Sequence, residues 1–132
     1  MRKYAFIGVG GLLGALLRYG MKGMPLFGLQ SIPINILIIN VTGAFILALI
    51  MTLLPKIRGI AEEIKSGFTV GVLGAYTTFS TLCGETVELV RNSGYFTAGL
   101  YMFASITLGL GAAWLGGAIA RKAGSRTNKE IQ

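Results

Sequence analysis

The chain has 132 residues, of which 53% are hydrophobic and only 13% charged, with a net charge of +7. Soluble domains average about 25% charged residues; here long apolar runs separate the few charges, so the composition describes one integral membrane domain. The absence of histidine and the single cysteine, Cys83, exclude Ser-His-Asp and Cys-His sites and an internal disulfide, and the basic excess reads as loop charge near anionic lipid rather than a nucleic-acid surface.

The first predicted span covers about 4–19. Met1-Arg2-Lys3 ahead of an apolar run imitates a secretory signal. No clean small-x-small cleavage site follows and Arg18 closes the run, so it is expected to be a retained helix. Gly8, Gly11 and Gly14 recur every third residue and Gly10 and Gly14 every fourth, spacings that let helices approach closely. The glycines superficially resemble a dinucleotide loop, but the final glycine and any βαβ setting are missing. Arg18 is either a snorkelling anchor or a vestibule charge that attracts anions. A loop with Lys22, Pro25 and Gly28 leads to the second span, about 32–54. Asn40 interrupts it, followed by Thr42 and Gly43. Its amide can bond a neighbouring helix or offer two donors to an anion. Pro55-Lys56-Ile57-Arg58-Gly59 ends the helix, with Glu62 and Glu63 in the loop or at the next helix start.

The third span, about 64–90, carries the densest polar cluster: Thr77, Thr78, Ser80 and Thr81, with Gly74 three residues ahead. Isolated hydroxyls in membrane helices commonly bond their own backbone. This density at the bilayer centre points instead to contact with protein, ions or water. Glycine beside β-branched threonine also marks a place for the helix to break, and a broken membrane helix exposes carbonyls that can hold a cation. Phe79, Leu82 and Glu85 are spaced by three, with Thr78 and Thr81 close to the same face. Glu85 continues this polar line, whereas Glu88 reads as an interfacial charge. Arg91-Asn92-Ser93-Gly94 forms a turn. In the fourth span, about 96–120, Tyr101 and Ser105 lie on one side with Thr107 turned further round, and Gly109, Gly111, Gly116 and Gly117 indicate close packing. Residues 1–120 therefore form a four-helix transmembrane domain, and 121–132 a basic, polar tail expected to be disordered.

Four spans place Arg2, Lys3, Lys56, Arg58, Lys65, Arg121, Lys122, Arg126 and Lys129 on one side, against Arg18, Lys22 and Arg91 on the other. This bias predicts both termini in the cytoplasm of a multi-pass cell-membrane protein.

Three motifs carry a resemblance. Gly10-Gly11-x-x-Gly14-Ala15-x-x-Arg18-Tyr19, Asn40-Val41-Thr42-Gly43-Ala44-Phe45 and Gly74-x-x-Thr77-Thr78-Phe79-Ser80-Thr81 together resemble, in the same order, the Fluc (CrcB) family of fluoride channels. The third motif is the specific one. The resemblance implies an all-α membrane fold with the third of four helices broken at its centre, assembled as an antiparallel dimer with two narrow pores. It implies that backbone carbonyls of Gly74 and Thr77 hold a structural sodium ion that is not transported. It also implies a fluoride path along Asn40, Phe79, Ser80, Thr81, Tyr101 and Ser105, supported by Arg18, Thr78, Leu82 and Glu85. The expected role is passive export of cytoplasmic fluoride. Neutral amide and hydroxyl donors suit a strongly hydrated anion that must also leave, and a phenylalanine ring edge adds partial positive charge.

Two departures from the family pattern bear on assembly. Leu82 stands where a second phenylalanine is usual, and the loop charges are too biased for insertion in both orientations. They favour pairing with an oppositely oriented paralogue, in which case one pore is silent; a dual-topology homodimer stays open. Other classes fit less well. A proton-coupled exporter of cationic compounds needs a carboxylate at membrane depth, yet Glu62, Glu63, Glu85, Glu88 and Glu130 all avoid the predicted span centres. A non-conducting partner subunit would not need the central hydroxyl cluster. An enzyme is not expected, because no nucleophile-base or metal-ligand set can be assembled.

Overall fold

The computed structural model describes residues 1–24, 32–57 and 59–129. Pro25, Gly28, Arg58 and Glu130 lie outside the described residues, and Lys56 and 125–129 are described by their backbone alone. Each apolar run is helical, as it must be where lipid offers the backbone no partners. Helix α1 spans Arg2–Lys22 and α2 spans Ile34–Leu53, with a 3₁₀ turn over Leu54–Lys56 where Pro55 ends the regular winding. The next crossing is assembled from pieces: α3 (Glu62–Ser66), a π-helical stretch (Gly67–Leu73), the single turn α4 (Gly74–Tyr76), and α5 (Phe79–Ser93). Helix α6 runs over Tyr95–Lys129.

Helices α1, α2 and α6 are each long and apolar enough to cross a membrane uninterrupted. The remaining crossing, α3 to α5, is broken between α4 and α5 by Thr77 and Thr78, both in extended backbone conformation. The chain is thus an all-α membrane protein whose third helix is broken near its centre. The sequence carries no signal for the π-helical stretch before the break. The last helix continues to Lys129, nine residues past the expected end at Ala120. Ala120, Arg121, Lys122 and Ala123 are good helix formers with no proline after them. At 1.5 Å per residue α6 is about 50 Å long, more than the roughly 30 Å hydrocarbon core, so one end projects from it.

Glycine sets the packing distances. Helix α1 lies against the π-helical stretch through Gly10 and Gly14 on one side and Gly67 and Gly71 on the other. A methyl group on Gly10 would strike the Gly67 carbonyl, one on Gly14 the Val72 carbonyl, and one on Gly71 would come within 2.6 Å of the Ile7 carbonyl. The spacing of four is the one used; Gly8 meets nothing within 4 Å. Helices α2 and α6 pack the same way, with Gly116 seated on the Phe45 carbonyl. The buried core joins Ile36 and Ile39 of α2, Tyr76 of α4, Leu82 and Leu89 of α5, and Ala98 and Tyr101 of α6. Between α5 and α6 the chain turns on Gly94 alone, at φ 88°, a value that carries a steric cost for any residue with a Cβ.

Most of the large apolar side chains point outward. Leu12, Leu16, Leu100, Phe103, Leu110 and Trp114 are each more than half exposed, an arrangement that suits lipid or a second subunit and not water.

Two substitutions separate contact glycines from surface ones. Gly14→Val should destabilise by about 1–3 kcal/mol or prevent folding, because backbone faces backbone and neither helix can yield. Gly8→Ala should be neutral or slightly stabilising. Thermal unfolding of the detergent-solubilised protein checks both, and equal effects would show that the α1 interface is loose.

Candidate functional site

The site is built around the break. In an unbroken helix the Thr78 N–H would donate to the Gly74 carbonyl, four residues back. Instead it donates to Asn40 Oδ1 at 2.9 Å, while Asn40 Nδ2 donates to the Thr78 carbonyl at 3.0 Å. One side chain from α2 thus satisfies both backbone groups of a residue 38 positions away. The amide orientation follows from the chemistry, since only oxygen can accept from the Thr78 N–H.

The same logic repeats one turn on. Thr81 N–H, whose helical acceptor would be the Thr77 carbonyl, donates to Thr78 Oγ1 at 3.2 Å. Thr78 is the N-cap of α5, a role that threonine fills well. The carbonyls of Gly74 and Thr77 therefore both lose their i+4 donors. The i+3 alternative for Gly74 is also used elsewhere, because the Thr77 N–H donates to the Leu73 carbonyl at 3.1 Å. Gly74 is exposed and Thr77 partly so. Two neutral oxygens are thus left without their helical donors at the subunit surface, a donor set of the kind hard cations prefer. Among the described residues no group of three or more His, Cys, Asp or Glu could hold a metal, so a cation site here would have to be built from main-chain oxygen.

The hydroxyls of the cluster divide into two kinds. Thr77 Oγ1 donates to the Leu73 carbonyl at 3.0 Å, the ordinary four-residue back-bond also made by Thr42, Thr52, Thr69 and Thr86. Thr78, Ser80 and Thr81 instead bond one another: Thr78 Oγ1 donates to Thr81 Oγ1 at 3.0 Å and lies 3.3 Å from Ser80 Oγ. A hydroxyl has one proton, and Thr78 gives its own to Thr81. The Thr81 hydroxyl proton and the second Asn40 amide proton have no acceptor among the described residues. Both are unspent donors.

The other expected site residues fall in three places. Arg18 and Thr81 line one cavity of about 470 Å³, together with Leu12, Tyr19, Lys22 and Ile36, so the arginine and one hydroxyl of the cluster share a space. Tyr101 and Ser105 are buried on α6. The Tyr101 hydroxyl donates to Glu85 Oε2 at 3.2 Å, with the Pro33 carbonyl at 3.4 Å, and Ser105 Oγ donates to the Tyr101 carbonyl at 2.8 Å. Glu85 also lies 3.9 Å from Lys22 Nζ, so its charge is partly countered. Glu85 lines a second cavity with Glu88, Asn92 and Ser93.

Phe79 and Leu82 do not share a face. Phe79 is 75% exposed at the start of α5, whereas Leu82 is 6% exposed and packed in the core. The three-residue spacing leaves them about 60° apart around the helix, and the core takes up that difference. Sequence reasoning passed over Asn35, Met21 and Tyr76. Asn35 Nδ2 shares its two protons among the Met21, Lys22 and Met24 carbonyls at 3.2, 2.9 and 2.7 Å, capping the end of α1. An asparagine two residues past Pro33, just inside a helix, was the available signal.

Replacing Asn40 tests the staple. Asn40→Ala leaves the N–H and C=O of buried Thr78 unpaired and should lower stability by about 2–4 kcal/mol. Thr81→Val keeps the backbone cap and should cost less than about 1 kcal/mol. Unfolding in detergent measures both, and a mild Asn40→Ala would mean that water replaces the amide.

Residues 5–117 match the family model described as CrcB-like protein, Camphor Resistance (CrcB). Over 119 residues the chain is 37% identical to the "Fluoride-specific ion channel FluC 2" of Geobacillus kaustophilus, covering 89% of this chain and 92% of that one. It is 38% identical over 120 residues to "Fluoride-specific ion channel FluC 1" of Bacillus anthracis, covering 88% and 87%. It is 36% identical over 116 residues to "Fluoride-specific ion channel FluC" of Oceanobacillus iheyensis, covering 88% and 89%. With a helical membrane fold, a staple across its third helix and a family match over nearly the whole chain, the protein belongs to the CrcB family.

Proposed function

We propose that the chain is a subunit of a fluoride-selective channel that lets cytoplasmic fluoride leave passively. The observation that carries this reading is the stapled break, which leaves free hydroxyl and amide protons beside it and no lysine or arginine within it. Fluoride is small and strongly hydrated, so a conducting path must replace its water with several neutral donors yet release it. Asn40 and Thr81 supply such donors; Ser80 belongs to the same hydroxyl cluster, and Phe79, exposed at the start of α5, offers its ring edge. Ser105 and Tyr101 continue the line on α6; to serve as donors, their hydroxyls must turn from the Tyr101 carbonyl and from Glu85. Arg18 gathers anions at the mouth it shares with Thr81. The relatives named as fluoride-specific channels support the choice of anion. An exporter exchanging protons at a membrane carboxylate is disfavoured. The described acidic residues lie at the start of α3 and along α5, where Glu85 already bonds Tyr101.

The freed carbonyls of Gly74 and Thr77 would hold a structural sodium ion together with the same pair from a second, antiparallel subunit. Bound there, the ion supplies positive charge that joins the subunits and is not itself moved. The charge bias of the loops puts both termini in the cytoplasm and favours an oppositely oriented paralogue as the second subunit. The numbered names FluC 1 and FluC 2 among the relatives are in keeping with that arrangement.

Fluoride efflux from liposomes, read with a fluoride electrode and with chloride as control, tests the function. The channel should pass fluoride and not chloride, and Thr81→Val should lower the flux at least about tenfold without unfolding the protein. Absence of fluoride flux with and without a paralogue would refute the reading. A conducting dimer from this chain expressed alone would refute the paralogue.

A further inference from the structure

We propose that the Tyr76 hydroxyl is a positioning group for the cation site at the break; this rests on the cation reading given under Proposed function. Tyr76 is the last residue of α4 and lies between the two carbonyls, two residues after Gly74 and one before Thr77. It is 8% exposed. Its hydroxyl lies 3.0 Å from Thr42 Oγ1 on α2 and 2.9 Å from Met21 Sδ on α1. Among the described residues from Gly74 to Thr77 it is the only side chain bonded to another helix, since Ala75 has no polar group and Thr77 bonds back to Leu73.

The protons can be counted. Thr42 gives its single hydroxyl proton to the Ile38 carbonyl at 2.7 Å, so towards Tyr76 it accepts. Tyr76 also has one proton and two acceptors, an oxygen and a sulfur. Oxygen is the stronger acceptor, and sulfur a weak one. Neither acceptor is loose. Thr42 is held by its own helix, and Met21 sits at the end of α1 where Asn35 caps the carbonyls. The ring reaches this point because α2 has Gly43 beneath it, where a methyl group would come within 3.2 Å of Tyr76 Cδ1 and would strike the Thr77 methyl. The hydroxyl therefore pins the peptide units on either side of Tyr76 to α2 through Thr42, with the Met21 sulfur of α1 as the second acceptor. It sets where the Gly74 and Thr77 oxygens point without touching the ion.

Sodium titration of thermal unfolding tests this on the full chain in detergent, alone and co-expressed with its paralogue, with N-methylglucamine replacing sodium at constant ionic strength. The wild type should be stabilised along a saturating curve. Tyr76→Phe should need about 3- to 10-fold more sodium for half of the effect, the range expected for one lost hydrogen bond, and should reach the same sodium-dependent increment at saturation. Thr42→Val should shift the curve the same way but less, because Met21 Sδ remains, and the double variant should match Tyr76→Phe alone. Thr42→Val carries the test if Tyr76→Phe does not fold. A half-saturation unchanged in the variants, whatever their overall stability, makes Tyr76 a packing residue and overturns the proposal. A wild type that sodium stabilises neither alone nor with the paralogue overturns the cation reading itself.

Discussion

The two hydrogen bonds between the Asn40 amide and the backbone of Thr78 are the constraint on which the structure turns. Breaking a helix inside a membrane strands polar backbone groups where no solvent can satisfy them, at several kcal/mol for each. A break therefore persists only if another element supplies a donor and an acceptor at the right place. Asparagine does both with one planar group. Once Thr78 is held from outside, it is free to cap α5, its hydroxyl takes the Thr81 N–H, and the carbonyls of Gly74 and Thr77 are left without helical donors. The open carbonyl oxygens are thus consequences of one contact, and the Thr81 hydroxyl proton, which has no acceptor among the described residues, lies one turn further on.

Holding Asn40 in reach of Thr78 is a matter of backbone proximity. The glycine pairs between α1 and the π-helical stretch, and Gly43 beneath Tyr76 and Thr77, remove the side chains that would keep these segments apart. Without a hydrophobic driving force between helices in lipid, close contact and dispersion supply the attraction. The large apolar side chains are then spared for the outer surface, where Phe103, Leu110 and Trp114 face lipid or another subunit.

Much of this was legible in the sequence. Apolar runs bounded by charge mark four spans because lipid admits little else, and the threonine cluster after Gly74 marks the break because its density exceeds what back-bonding explains. The role of Asn40 was half legible: its amide was recognised as an interhelical or anion-binding group, but its partner, 38 residues away, follows only from the packing. Leu82 was misjudged for a related reason. Spacing by three places two residues near one face of an isolated helix, yet the core accepts one and leaves the other outside. Tyr76 carried no signal, since a tyrosine near a helix end is commonplace until its acceptor is known, and the position of Asn35 just past Pro33 hinted at a cap without naming the carbonyls it serves. The helical continuation past Ala120 was hidden by polarity, which argues for disorder in a tail but not in the extension of a helix already nucleated.

The π-helical winding of Gly67–Leu73 has an angular consequence. Bonds from each residue to the fifth beyond it take more residues per revolution than the 3.6 of an α-helix, so seven residues in that form turn the chain through a smaller angle. Ordinary winding over the same stretch would aim the Gly74 oxygen at a different neighbour. The Gly74–Thr81 motif is therefore not portable by itself: transplanted onto a straight helix it would keep its chemistry and lose its bearing.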